Sequence, residues 1–272
     1  MPDIPTVNAS ASFRWTDMSM LNFGTNNLSL SYFNARQEVY LSNIKWRFLD
    51  IRGGIRNDIF DIRNIKSSNV IDEYDKTSLT NDFMSLFADG RTDTFDDGYF
   101  PTKGVNAGLS YAWTFAGIPE MINNFHTLQA DAKLVVPGGD GFTFIPSFYC
   151  RFLMGKEIPL AYFNAIGGSL PGRFVDQQVP FIGLTNLVAM KNIMTMFRTD
   201  FRFEVARNHY VTGTINYVRD AETFRQFGEG MGNFGAGVEY SYDTIFGPIS
   251  ANVHWSDFTG KVGLYLSAGF NF

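Results

Sequence analysis

Four charged side chains in this 272-residue chain are spaced as if to share one surface. Arg198, Asp200, Arg202 and Glu204 alternate with Phe197, Thr199, Phe201, Phe203 and Val205. In a strand, residues two apart point the same way, so the charges take one face and the apolar groups the other. A ladder of this kind either neutralises itself while filling an interior or lines a channel. Three histidines, His126, His209 and His254, are far apart in sequence. His254 shares a face with Asn252 and Ser256, a Ser–His–Asn set of the type used by some lipid hydrolases. No catalytic residue is assigned. Asp89, Asp93, Asp96 and Asp97 gather oxygens that would suit calcium, but a solvated turn is the simpler reading, and neither a metal nor a cofactor is assigned. Cys150 is the single cysteine. It permits no intramolecular disulfide and no cysteine-based metal centre, and is expected to pack as a small apolar group.

The elements that position these residues are strands. Val262, Leu264, Leu266, Ala268, Phe270 and Phe272 fall on one face, with Lys261, Gly263, Tyr265, Ser267, Gly269 and Asn271 on the other. The same period of two runs through Ile249–Ala251–Val253–Trp255, Ala236–Val238–Tyr240–Tyr242, Leu128–Ala130–Ala132–Leu134–Val136 and Val105–Ala107–Leu109–Tyr111–Trp113–Phe115. The partners of these runs are mostly polar, which marks sheets with unlike faces.

Composition separates the two ways of using such sheets. Aromatic residues make up 16% of the chain and charged residues only 18%, whereas soluble domains carry about 25% charged residues. Tyr, Trp and Phe gather near strand ends, as in the aromatic girdles of membrane barrels. No run approaches the roughly 20 apolar residues of a membrane helix, which excludes a helical membrane protein. In lipid the remaining way to satisfy every backbone polar group is a closed sheet. The net charge of −5 offers no basic stripe for nucleic acid.

The reading is therefore an all-β, antiparallel, up-and-down transmembrane β-barrel. Crossings are expected at 25–34, 36–48, 50–65, 76–93, 104–115, 125–137, 142–154, 193–206, 209–219, 232–243, 247–256 and 261–272, about twelve in all, with 14 or 16 as alternatives. Residues 1–24 are expected to be an N-terminal extension or arm, and 25–272 the barrel. Segment 7–15 also alternates and could be an arm in the lumen or part of a further strand. Links 207–208 and 245–246 should be periplasmic turns. The longest link, 155–192, is expected to fold into the lumen. The start Met1-Pro2-Asp3-Ile4-Pro5 lacks the basic and apolar parts of a signal peptide, so a leader is expected to have been removed.

Several stretches resemble the Omp85 superfamily, the family that includes bacterial surface antigen D15. Residues 97–104, D-G-Y-F-P-T-K-G, look like its D-x-x-F-P-T-x-G turn, and 234–248, F-G-A-G-V-E-Y-S-Y-D-T-I-F-G-P, like its penultimate hairpin. The last residues, including Phe270 and Phe272, resemble a C-terminal signal read by barrel-assembly machinery. Within the long loop, Gly172-Arg173-Phe174 stands where the family carries R-G-F or R-G-Y. Together with residues 177–183, Q-Q-V-P-F-I-G, it looks like the barrel part of patatin-like outer-membrane proteins. The chain has neither POTRA domains nor a G-x-S-x-G nucleophile turn. The family barrel usually has sixteen strands; twelve is kept for this length.

The resemblance implies that Arg173 folds into the lumen and pairs with carboxylates on the strands that follow. Asp200 and Glu204 are the expected partners, with Asn216 where the family often has an acid, while Arg198 and Arg202 are expected lumen charges. It also implies a bacterial outer-membrane location, contact with outer-membrane lipid and barrel-assembly machinery, and a protein or lipid client. The implied role is insertion or translocation at the outer membrane. The alternative is a passive barrel anchoring a patatin-like surface lipase, with no activity of its own.

Overall fold

The computed structural model describes residues 4–22, 26–67, 79–118, 124–156, 158–168, 172, 174–229 and 231–269. Arg173, Phe270 and Phe272 lie outside them. In chain order the strands are β1 (Thr6–Asn22), β2 (Asn26–Trp46), β3 (Leu49–Ser67), β4 (Leu79–Asp93), β5 (Gly104–Ile118), β6 (Phe125–Gly139), β7 (Phe142–Met154), β8 (Asn164–Gly167), β9 (Gln178–Val179), β10 (Leu187–Met190), β11 (Ile193–Ala206), β12 (His209–Ala221), β13 (Asn233–Thr244), β14 (Gly247–Ser256) and β15 (Val262–Ala268). Among the described residues, no helix is long and apolar enough to cross a membrane.

Twelve strands, all but β8, β9 and β10, form an up-and-down antiparallel series in which each pairs with its neighbours in chain order. β7 pairs directly with β11, so the three short strands are set inside the long loop. The expected number of crossings agrees with the structure, but two of the expected crossings do not. The crossings expected at 25–34 and 36–48 fall on one strand, β2 (Asn26–Trp46): Gln37 points outward among apolar groups and interrupts the apolar run without breaking the backbone ladder. The segment expected as an extension or arm contains β1, which is in register with β2 from Thr6 opposite Ser42 to Asn22 opposite Asn26.

Short turns at 47–48, 140–141, 207–208 and 245–246 share one end of the barrel, the end at which both β1 begins and β15 ends. Asp140 and Gly141 have φ of 48° and 77°. This pair of positive angles matches the natural twist of a two-residue hairpin and favours an Asp-Gly sequence. Barrels of this class keep short turns on the periplasmic side.

The faces are inside-out relative to a soluble sheet. Phe13, Trp15, Leu109, Phe197, Val253 and Leu264 are exposed on the outer surface. Asn34, Asp58, Thr114, Asp200, Asn216 and Ser256 are buried inside, each less than a tenth exposed. Aromatic clusters mark both ends. Towards the long-loop end, Tyr111 Oη lies 2.7 Å from His126 Nδ1, and Trp113 packs on Phe115. Towards the short-turn end, His209 stacks on Tyr242 with ring centroids 4.4 Å apart and meets Tyr240 Oη at 2.6 Å. Amphipathic rings suit the two lipid–water interfaces. Two of the three histidines thus belong to girdles rather than to a reactive site.

Candidate functional site: a plugged lumen

The long loop fills the upper lumen. Its buried apolar residues divide between two walls. Ala161, Ala165, Val175 and Leu187 pack with Met18, Leu30, Tyr32, Phe60, Ile62 and Phe83 of β1 to β4. Ile166, Phe181, Leu184, Val188 and Met190 pack with Tyr149, Met194, Met196 and Val218 of β7, β11 and β12. Side-chain amides stitch the loop to itself. Gln178 donates to the Gly167 carbonyl at 2.6 Å and accepts from Phe174 N at 2.9 Å. Gln177 donates to the carbonyls of Ala161 and Phe163, each at 3.1 Å.

Charges fix the loop to the first strands. Asp176 accepts from Arg14 of β1 at 2.7 Å and from Arg36 of β2 at 2.8 Å. Arg14 also donates to the Gly172 carbonyl. Arg36 pairs in turn with Asp58 of β3 at 2.7 Å, and Asp58 accepts the Tyr162 hydroxyl at 3.3 Å. Arg151 of β7 donates through Nη1 to the Tyr162 carbonyl at 2.9 Å and to Asn164 Oδ1 at 2.7 Å. The backbone joins as well: β10 runs parallel to the end of β1, with Met20 opposite Leu187 and Asn22 opposite Ala189.

A second attachment uses missing side chains. A Cβ on Gly235 would strike the Ile182 carbonyl and come within 2.7 Å of Phe181 Cε1. One on Gly237 would come within 2.8 Å of Ile182 Cγ1. These two glycines of β13 let segment 181–183 lie directly on the wall. With its amide oriented to suit the network, Asn216 accepts from Ile182 N at 3.0 Å. Ser256 donates to the Gly183 carbonyl at 3.3 Å. The plug is therefore held on β1–β3 at one side and on β12–β14 at the other.

The short-turn end is partly closed from below. Residues 94–103, which hold most of the D-x-x-F-P-T-x-G motif, fold towards the opposite wall. Phe100 stacks on Tyr210 with centroids 4.1 Å apart and planes 10° from parallel. Arg202 sits 5.7 Å from both rings and donates to the Pro101 carbonyl. Asp96 shapes the turn, accepting from Thr102 Oγ1 at 2.5 Å and Thr102 N at 2.8 Å. Asp97 accepts from Tyr99 N at 2.8 Å and Phe100 N at 2.7 Å. The hydrogen bond from Thr102 is the main cause holding the Asp96 carboxyl down at about 2. These carboxylates thus cap backbone, and among the described residues no acidic or histidine cluster could hold a metal ion.

The residues singled out by sequence are distributed as follows. Arg198 pairs with Asp200 at 3.0 Å, and Asp200 also accepts from Thr214 at 2.6 Å, so this part of the ladder neutralises itself. Arg202 is enclosed by the lower turn. Glu204 lies beside the 207–208 turn, where it accepts from Asn208 N at 3.4 Å. Asn216 does bind the loop, through Ile182 rather than through a charged side chain. Gly172 and Phe174 lie with the part of the loop held by β1 and β2. His254 Nδ1 lies 2.7 Å from Asn252 Oδ1, but its Nε2 is packed against Gly263, while Ser256 is committed to Gly183. That arrangement cannot serve as a Ser–His–Asn relay. The sequence reading missed Asp176, Arg14, Arg36, Asp58 and Arg151. Their signal was present in the inward positions of β2 and β3, where Arg36, Glu38, Arg56 and Asp58 alternate as the β11 charges do.

Below the plug lies a cavity of about 540 Å³. Its wall on β2–β4 is a lattice of ion pairs: Arg52 with Asp89 at 2.9 Å and Arg56 with Glu38 at 2.7 Å.

An outward apolar belt, girdled ends and a polar bore filled by its own loop define a membrane-spanning β-barrel with an internal plug. A family model described as the OMP85 superfamily matches residues 6–272, and the chain belongs to that superfamily. Among solved structures it is similar to BamA from Haemophilus ducreyi lacking POTRA domains 1–3, with a TM-score of 0.65 and 13% sequence identity. The match covers 92% of this chain and 56% of that one, so the chain spans little more than half its length. At this identity the likeness concerns the fold. No curated protein matches the sequence. Neither match lends support to a patatin-like anchor.

Proposed function

We propose that this barrel works in a bacterial outer membrane and helps a protein or lipid client enter or cross that membrane, with the plug moving during the cycle. One observation carries this reading: the plug is attached to both ends of the strand series. Through Asp176 and β10 it holds β1 and β2, and through segment 181–183 it holds β12–β14. A plug placed there couples its own position to the first strands and to the strands that precede β15. Membership of the OMP85 superfamily supports the same reading. Partners on this account are outer-membrane lipid, a client, and barrel-assembly machinery that reads Phe270 and Phe272. No catalytic role is assigned.

The test is a reversible tether. In a Cys150→Ala background, Asn22→Cys of β1 and Ala189→Cys of β10, which stand opposite each other in register, would be oxidised to join plug and wall. Reconstituted vesicles would then be scored for membrane insertion of an unfolded barrel protein and for lipid scrambling. The expected result is activity lost on oxidation and restored by reductant. Equal activity with the tether closed and open would contradict plug movement.

A further inference from the structure

We propose that the lumen cavity contains a binding site for a small oxyanion, a phosphate or carboxylate group, centred on Arg151. Five arginines line this cavity. Among the described residues, Arg36, Arg52, Arg56 and Arg91 each have a carboxylate within ion-pair distance, and Arg151 has none. It is nevertheless only 5% exposed. A cation at membrane depth is costly unless it is paired. Its two hydrogen bonds, to the Tyr162 carbonyl and Asn164, both leave from Nη1. Asn164 cannot turn away, because its own amide donates to the Lys191 carbonyl at 2.7 Å and the Asn192 carbonyl at 3.1 Å. Nε and Nη2 therefore remain as a fixed edge, the geometry that takes an oxyanion in a two-pronged bond.

Neighbouring donors extend that edge. Gln129 of β6 stands directly opposite Arg151 of β7, and facing side chains in such a pair lie within reach of each other. Gln129 and Thr127 point inward two residues apart and line the same cavity. Among the described residues, neither side chain is tied to a protein partner. One guanidinium, one amide and one hydroxyl thus converge on the cavity under the plug. The site faces the bore rather than the lipid surface, so its ligand is a small anion arriving through water and not a phospholipid headgroup.

The experiment uses the full chain folded in a phospholipid-free detergent, with folding of every variant checked by heat-dependent gel migration. Inorganic phosphate and acetate are titrated separately by calorimetry at constant ionic strength. Saturable binding of at least one is expected, weakened about tenfold or more by Arg151→Lys and several-fold by Gln129→Leu, which leaves the Arg151 bonds to the plug intact. Arg225→Gln, outside the lumen, should bind as the parent does. Binding of neither anion would overturn the site, as would binding unchanged in Arg151→Lys and Gln129→Leu. A separate arm adds phosphatidylglycerol to the detergent: competition with phosphate would overturn the assignment to an aqueous anion.

Discussion

Arg36 is clamped between two carboxylates, Asp176 of the plug at 2.8 Å and Asp58 of β3 at 2.7 Å. The two acids are not equivalent. The Asp176 side chain is 39% exposed, whereas that of Asp58 is 1% exposed. Removing Asp176 leaves Arg36 a partner, so Asp176→Asn should cost at most about 1 kcal/mol, as for other partly exposed ion pairs. Asp58→Asn removes the enclosed acid of the pair and leaves Arg36, 25% exposed, with only the more exposed acid, so it should cost more, roughly 3 kcal/mol. Urea unfolding in detergent, monitored by tryptophan emission, checks the order. Equal losses would contradict the assigned burial.

The glycines of β13 offer a steric test. Gly235→Ala should displace segment 181–183 and raise single-channel conductance in planar bilayers. Gly213→Ala on β12 meets nothing within 4 Å and should leave conductance unchanged. A cost of roughly 1–3 kcal/mol is expected at Gly235 from overpacking.

The lower turn should respond to loss of its stacked cation. Arg202→Ala removes the contact with Phe100 and Tyr210 and the bond to the Pro101 carbonyl. Cation–π contacts of this sort contribute about 0.5–2 kcal/mol. Faster proteolysis within residues 94–103 is expected, with barrel migration on gels unchanged.

Acid should loosen the same turn. The Asp96 carboxyl is held at about 2, below its ordinary value of 3.8. A depressed value favours the folded turn above the unfolded pKa, and that contribution is lost as pH falls through the folded one. Protease sensitivity of residues 94–103 should therefore rise between about pH 4 and pH 2, and Asp96→Asn should abolish the transition.

The wall of the barrel was legible in the sequence because lipid imposes a strict alternation on every crossing, as in Val262 to Phe272. β1 was harder to place, since its partner β2 was read as two crossings, 25–34 and 36–48. The plug could be located by its length and its glycines but not by its contacts. Asp176 meets Arg14 and Arg36 across more than a hundred residues of chain, and no local period encodes such a pairing. Gly235 and Gly237 were visible as a motif, yet their purpose required knowing that Ile182 lies on them. Asn216 was marked for the loop, and the atom it meets belongs to the backbone, which side-chain patterns do not reveal.

The central claim is that apolar faces meet lipid while polar faces enclose the bore. Single spin labels on the Cys150→Ala protein in bilayers test it most directly. Labels at Phe197, Phe201, Val253 and Leu264 should be relaxed by oxygen and shielded from a water-soluble nickel chelate, while one at Asn252 should lack the oxygen response. The reverse pattern, with the aromatic positions shielded from oxygen and packed centrally, would contradict the account.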